Sequence, residues 1–506
     1  MTTLASHPMV DTLPGRPSPP PRHFPGRVGN RLLSALEVSG DGLRDHPNVI
    51  QVADRGISRQ QLRLCAGAVA KQVQGMEAVA VHATVSLETV VAITGALIAG
   101  TPVVPLSPAF TQATWDRILR ETRAAAVLTT GRRFEPTDRP RLAVDLRRRS
   151  SASFPAVSPD AIALIGYTRG TTGPPKAVRL SAGAIAASID AVADAWAWGP
   201  DDVVVHGLPM TRPCNLILGI IASLRIGSPL VYTGRPSPTT FAAAEGTLYL
   251  GDPPAWNSVT STLEAARALR SARLLVSGES PLTAREFVRL AELTGHRPVE
   301  WYGMAEAMVV TTSRALGDRL PGYVGTPVGG VATRVVDGRG VPVPADGASV
   351  GELQVHGPTL FDGYLTDDRE GGRHGGWFST GDLATIGPGG RHRIVGRASV
   401  DLIKSGRHRV GATEVEQVLM EHPMVRDAAV TATPHPDLGQ QVTAYVVADD
   451  GATAQDLIDF VARRLPAYKR PRTVHLTESL PQEVGGKRPD AGRERRDQLP
   501  NGSGAG

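Results

Sequence analysis

Cysteine is nearly missing from this chain: 506 residues contain two, Cys65 and Cys214, and neither sits in a CxxC or Cys/His ligand spacing. A disulfide framework and a structural zinc are therefore not expected, and a reducing, cytoplasmic compartment fits. Long hydrophobic runs are lacking too. Stretches such as "VVAITGALIAGTPVVPL" are broken by glycine and proline before they reach membrane-spanning length, so short buried elements are expected and no membrane partner. The opening "MTTLASHPMVDTLPGRPSPPPRHFPGRVGN" lacks the continuous apolar core of a secretory signal and reads as a loose tail over residues 1–30. Charge of one sign is not concentrated anywhere. The formal net charge is +5 with scattered arginines, which argues for a solvated surface and against nucleic acid as a partner. There is no internal repeat, and the Walker A spacing GxxxxGK[ST] is absent.

What is there suits an ordinary globular enzyme, with 41% hydrophobic and 20% charged residues. The length allows about three domains, or one large α/β body with a satellite. From Ile50 to about Pro327, strand-like runs ("EAVAVHA", "RAAAVLTT", "DAIALIGY", "VVVHGLP", "GSPLVYTG", "GTLYLGD", "SARLLVSG") alternate with helix-like ones. Several of these strands are almost wholly apolar, as expected where helices cover both faces of a parallel sheet. In "PLTAREFVRLAELTG", Pro281 and Thr283 mark a helix start and Gly295 its stop. After Gly325, "VATRVVDG", "GELQVHG" and "HRIVGR" read as short strands between Gly-rich turns, a β-rich subdomain. Past Gly396 the order helix, strand, strand, helix predicts a compact α+β module, followed by a polar tail.

The stretch "YTRGTTGPPKAVRLS", Tyr167 to Ser181, follows one of these strands directly. Glycines let backbone N–H groups turn inward, threonine hydroxyls donate further bonds, and Lys176 adds a mobile positive charge, which is the logic of an anion nest. Taken alone, such a turn is more often a structural loop.

Its surroundings decide between the two. The loop resembles that of the adenylate-forming superfamily, the acyl-CoA synthetases and their relatives, in which it reads close to YTSGTTGxPKG. "WYGMAEA" (Trp301 to Ala307) resembles the family's adenine and magnesium segment, "GWFSTGDLATI" its ribose segment, and "IVGRASVDLIKSGRHRVGATEVE" its hinge. "PQEVGGKR" stands where the family has its C-terminal lysine motif. The resemblance implies an α/β fold: a large multi-subdomain N-terminal body of sheets covered by helices, a β-rich subdomain, and a small mobile α+β C-terminal domain. The implied limits are an N-terminal adenylation domain over 31–398, a C-terminal domain over 399–495 with a hinge near Ser399 to Asp401, and a tail over 496–506. ATP and Mg²⁺ are the implied cofactors, CoA is a co-substrate, and a monomer or homodimer is expected.

Residue by residue, the resemblance assigns Thr168, Gly170, Thr171, Thr172, Gly173 and Lys176 to the leaving phosphates, with Thr171 also catalytic. Tyr302, Gly303 and Met304 fall beside the nucleotide. Asp382, which as a bare sequence feature could cap a turn, is implied to accept the ribose hydroxyls. Glu306, otherwise a surface acid, is implied to be catalytic and to hold Mg²⁺. Arg397 is implied to contact ribose or phosphate. Lys487, otherwise in a solvated loop, is implied to stabilise charge growing on the α-phosphoryl oxygens. Arg169 replaces the loop's usual serine, and its role stays open between gripping pyrophosphate and facing solvent.

The closest likeness is to malonyl- and methylmalonyl-CoA synthetases, carried by the hinge "VDLIKSGRHRVGATE" and by "VYTGRPSP". Arg235 in the latter matches an arginine that binds the substrate's distal carboxylate, which is the favoured reading, with a surface arginine after a strand as the alternative. Arg212, Ser277 and Gly278 complete the expected acid site. Five positions depart from the malonyl-type pattern: Arg212 and Cys214 stand where such enzymes carry two histidines, Asn215 replaces the glycine that follows them, Ala305 replaces a threonine, and Arg407 replaces a glycine on the thiol path. The leading expectation is an acid:CoA ligase acting on a small polar acid such as malonate. The alternative is an adenylate-forming enzyme of natural-product biosynthesis that works without CoA, as an aryl-acid ligase or by activating nitrite towards an aminoaryl acid.

Overall fold

The computed structural model describes residues 32–37, 48–130, 137–168, 175–366, 373–397, 402–406 and 408–481. Its body holds two sheets. The larger runs, from one edge to the other, through Thr326–Pro327, Met308–Thr312, Val299–Met304, Leu274–Ser277, Leu248–Gly251, Val204–His206, Leu230–Tyr232, Ile50–Val52 and Arg55–Ile57. The smaller runs through Arg141–Ala143, Ala126–Thr129, Val79–His82, Val103–Leu106, Ile162–Tyr167 and Ala177–Ser181. Both are parallel in the middle, as the apolar runs predict, but both edges of the larger sheet and the Ala177–Ser181 edge of the smaller are antiparallel, while Arg141–Ala143 at the other edge stays parallel. The difference is local: a strand that returns through a short turn needs no crossover helix, and periodicity cannot distinguish the two connections.

The helices start and stop where their end residues dictate. Thr283 and Glu286 form a capping box ahead of Ala284–Thr294, and Gly295 ends that helix at φ 77°. Helix Ala182–Trp196 is capped by the Ser181 hydroxyl and buries Ile185, Ile189 and Val192 along one stripe. It starts from the last strand of the smaller sheet, and at its other end Trp196 donates its indole N–H to Thr312 Oγ1 of the larger sheet at 2.9 Å. Truncating a tryptophan this buried costs about 3–5 kcal/mol, and here it would also loosen the two sheets from each other.

The β-rich region is antiparallel: Ala332–Val336, Gly351–His356 and Trp377–Ile386 pair in turn, with Arg373–His374 and His392–Arg397 also on the last of these. The C-terminal part is the expected α+β module. Its strands run His408–Gly411, Leu402–Ser405, Gly439–Ala448 and Val425–His435, with Thr473–Leu476 parallel to Gly439–Ala448, and helices Ala412–Met420 and Ala454–Ala462 flank them. It has a core of its own, built on Val415, Leu419, Val446, Leu457 and Val461. Beside that core Lys469 Nζ meets Glu414 Oε2 at 2.7 Å, both side chains buried. Removing either partner would strand a buried charge. No helix of the described residues is long and apolar enough to cross a membrane. Both cysteines are buried free thiols.

Candidate active site

Three pieces of chain converge where the two sheets meet the β-rich region. Strand Ile162–Tyr167 leads into the glycine-rich loop, and the chain returns as Ala177–Ser181; Thr168 N–H donates to the Lys176 carbonyl at 2.9 Å and Lys176 N–H to Thr168 Oγ1 at 3.1 Å. These bonds close the neck of the loop. Arg169, Gly170, Thr171, Thr172 and Gly173 lie outside the described residues, as do Arg407, Lys487, the hinge at 399–401 and the terminal tails. Below the neck, the Tyr167 hydroxyl donates to Glu121 Oε2 at 2.8 Å, and burial with that carboxylate pushes the phenol well above its ordinary range.

Strand Val299–Met304 supplies the second piece. It bulges between Tyr302 and Gly303, where a Cβ on Gly303 would lie 1.9 Å from the Met308 carbonyl oxygen, so glycine is required there. The strand ends in Ala305 and the buried Glu306. Segment Phe361–Leu365 is the third piece: it runs beside Ala177–Ser181, with Arg179 N–H donating to Gly363 O and Leu365 N–H to Ala177 O. Tyr364 is thereby set between the other two. Its hydroxyl donates to Glu306 Oε1 at 2.9 Å, and Lys176 Nζ stands 4.8 Å from its ring centroid. Burial pushes the Glu306 carboxyl up, opposed by the Tyr364 hydrogen bond.

The β-rich region contributes a second cluster beside Tyr302. Asp382 and Arg397 face each other in register on adjacent strands, with Arg397 Nε 3.0 Å from Asp382 Oδ1. Tyr302 donates its hydroxyl to Asp382 Oδ2 at 2.6 Å. Burial and the Asp382 charge hold the Tyr302 phenol protonated, far above its ordinary value, so it stays a donor. A carboxylate has about four lone-pair sites, so this one retains acceptor capacity for a diol. Tyr302, Gly303, Met304, Glu306, Asp382, Arg397, Thr168 and Lys176 are thus brought together from separate parts of the sequence.

The expected acid-side residues divide. Arg212 precedes helix Pro213–Leu216, which continues as a π-helical turn over Ile217–Ile221 and then as Ala222–Ile226. Pro213 packs on Gly166, where a Cβ would lie 2.3 Å from Pro213 Cγ, so this segment rests directly on the phosphate-loop strand. Beneath the π turn His206 donates from Nε2 to the Asn215 carbonyl at 2.9 Å while its Nδ1 accepts the Leu208 N–H; burial lowers its pKa to about 4. Cys214 lies beside the nucleotide strand, with Sγ 3.9 Å from Met304 O, and burial together with the Glu279 and Glu306 charges pushes its thiol far up. Arg212 is bound to Glu279, NH1 to Oε2 at 2.6 Å. Gly278 is pressed against Trp301, and Ser277 points into the core with no hydrogen-bond partner for its Oγ among the described residues. Arg235 sits exposed on the loop after Leu230–Tyr232, its carbonyl accepting from Thr240 Oγ1.

Glu279, Tyr364 and Glu121 escaped sequence reasoning. Nothing in their local sequence tells that their side chains meet Arg212, Glu306 and Tyr167. Among the described residues no three His, Cys, Asp or Glu side chains gather as a metal cage. A single buried carboxylate such as Glu306 instead fits Mg²⁺, which takes its other oxygen ligands from phosphates and water.

A two-sheet α/β body, a β-rich region and a small α+β module, with the buried Asp382 carboxylate held by Tyr302 and Arg397 and with Lys176 over the Tyr364 ring at the neck of the glycine-rich loop, define an adenylate-forming architecture. The chain belongs to the AMP-binding enzyme family: residues 44–365 match that family and residues 414–487 its C-terminal domain. A mitochondrial malonate–CoA ligase of Xenopus laevis is 31% identical over 373 residues, covering 64% of this chain and 63% of the relative, so the chain spans under two thirds of that relative's length. A malonyl-CoA ligase ternary product complex with methylmalonyl-CoA and AMP is 38% identical, with a TM-score of 0.68 over 89% of this chain and 99% of that one. ATP-bound MatB from Rhodopseudomonas palustris is 27% identical, with a TM-score of 0.79 over 90% and 96%.

Proposed function

We propose that this chain is an ATP-dependent, AMP-forming ligase that activates a small polar carboxylic acid as its acyl-adenylate and passes the acyl group to CoA. One observation carries the reading: the Tyr302–Asp382–Arg397 cluster, suited to the ribose of ATP, and the Lys176–Tyr364–Glu306 cluster, suited to its phosphates, are near enough that Glu306 feels the charges of both Asp382 and Arg397. Asp382 accepts the ribose hydroxyls, the loop and Lys176 hold the departing phosphates, and Glu306 holds the metal. Mg²⁺, when bound, neutralises phosphate oxygens.

In the first step a carboxylate oxygen of the acid attacks the α-phosphorus. A P–O bond to the acyl group forms as the bond to pyrophosphate breaks, and both leaving-group electrons go with pyrophosphate. Lys487, if it reaches the site as in similar enzymes, balances the charge gathering on the phosphoryl oxygens. In the second step the CoA sulfur, having lost its proton, attacks the carbonyl carbon and expels AMP. Rotation of the C-terminal module between the steps would exchange Lys487 for the thiol path beside Arg407. The names of the relatives favour malonate or another short polar acid and CoA as the pair, and the two free thiols favour a reducing, cytoplasmic compartment.

The test follows AMP release with malonate plus CoA, with thioester identified by mass, and then with nitrite plus an aminoaryl acid without CoA. Thioester in the first assay supports the proposal. AMP release confined to the second would replace CoA with another acceptor.

A further inference from the structure

A single side-chain contact ties the strand that opens the glycine-rich loop to a neighbouring helix. Helix Gln112–Glu121 lays Trp115, Ile118 and Leu119 into the same apolar cluster as Ile165 and Ala177, and Tyr167 and Leu365 pack against that cluster too. Its last residue, Glu121, divides its carboxylate: Oε2 accepts the Tyr167 hydroxyl at 2.8 Å, and Oε1 lies 3.4 Å from Arg117 NH1, one helical turn earlier. The Arg117 guanidinium also stands 5.9 Å from the Tyr167 ring centroid. Three side chains from two elements thus close on one another. Apolar packing places the ring, and the charge-assisted bond fixes where its hydroxyl end stops.

From Tyr167 the constraint passes to the loop's lysine through the backbone. Tyr167 pairs in register with Ala177, and the next residue, Thr168, holds Lys176 twice, by its N–H to the lysine carbonyl and by its hydroxyl to the lysine N–H. Ala177 O in turn accepts the Leu365 N–H, next to the Tyr364 ring over which Lys176 Nζ stands. The Lys176 side chain is exposed, so its place depends on this backbone and on that ring. Resting on the adenylation reading above, we propose that Glu121 is a positioning residue: through the Tyr167 hydroxyl it sets the strand pair from which Lys176 reaches the departing phosphates of ATP. Its effect falls on the phosphate end and spares the ribose end, which Tyr302, Asp382 and Arg397 hold from other strands.

ATP against AMP tests this, because AMP keeps the ribose and lacks the departing phosphates. Calorimetric titration without acid gives the dissociation constants of ATP, with Mg²⁺, and of AMP for each protein. Tyr167→Phe, which keeps the ring and deletes the donor, and Glu121→Ala are each expected to weaken ATP about fivefold while AMP stays within about twofold of the wild type. The double variant is expected to lose no more than the worse single one, since both delete the same bond. Glu121→Gln, whose amide oxygen still accepts the hydroxyl, is expected to restore most of the loss. Equal weakening of ATP and AMP, losses that multiply in the double variant, or Glu121→Gln no better than Glu121→Ala overturns the proposal. A wild type that binds both nucleotides, with variants that leave their ratio unmoved, removes the role of Glu121 alone. A wild type that binds neither overturns the adenylation reading and the proposal with it.

Discussion

Glu300 is the sharpest place to perturb the floor of this cleft. It sits two residues before Tyr302, is 4% exposed, faces the backbone N–H groups of Leu282 and Gly322, and has no hydrogen-bond partner for Oε1 among the described residues. Ser277, opposite it in register, has an equally unpartnered hydroxyl. Burial pushes the Glu300 carboxyl from 4.5 to about 8, so at neutral pH it is mostly protonated. Because the folded-state pKa is the higher one, the folded chain holds a proton that the unfolded chain has released. The stability this contributes is fully present below about pH 4.5 and is lost as pH rises through about 8. At about 1.4 kcal/mol per pH unit, the whole swing is on the order of 5 kcal/mol. Glu300→Gln keeps the shape and a carbonyl for the two N–H groups but cannot ionise. Thermal unfolding of both proteins at pH 6, 7, 8 and 9 is the assay. A gap in favour of the variant is expected that is already on the order of 2 kcal/mol at pH 6, widens by several degrees up to about pH 8 and levels off towards pH 9. A gap of constant size across that range would refute the assignment of a neutral buried carboxyl.

Other outcomes follow from the cleft itself. Asp382→Asn removes a carboxylate that meets Tyr302 and Arg397, and should raise the KM for ATP by roughly 10- to 100-fold, the equivalent of a charge-assisted hydrogen bond of about 1.5–3 kcal/mol; steady-state kinetics check it, and an unchanged KM contradicts the ribose role. Tyr364→Phe keeps the ring beneath Lys176 but deletes the donor to Glu306. Since that donor opposes the burial-driven rise of the Glu306 carboxyl, its loss should move the acid limb of kcat/KM for ATP to higher pH, and a rate loss with no shift would sink the coupling. Lys487→Ala should remove most acid-dependent pyrophosphate release while circular dichroism and Tm stay as in the wild type.

How much of this was legible in the sequence depends on the range over which each feature acts. Helix ends were, because Thr283, Glu286 and Gly295 act within one turn. So was the strand that carries Arg397, whereas Tyr302 and Asp382 were found through the resemblance of their motifs and their strands were not. Their convergence was not, since Tyr364 reaches Glu306 across 58 residues and Arg212 reaches Glu279 across 67. The resemblance implied Arg212 on the acid side but could not show that the chain supplies a counter-charge at Glu279. The edge hairpins escaped for a related reason: a run of apolar residues reports burial, and the direction of the neighbouring strand is set by how the chain returns.

The most direct test of the whole account is isotope exchange between pyrophosphate and ATP, measured with Mg²⁺ and with or without a carboxylic acid. Reversible adenylation predicts exchange that appears only when acid and Mg²⁺ are both present and that drops at least tenfold in Asp382→Asn at subsaturating ATP. Exchange that ignores the acid, or none with malonate or any other short polar acid, would contradict the claim that this cleft makes an acyl-adenylate.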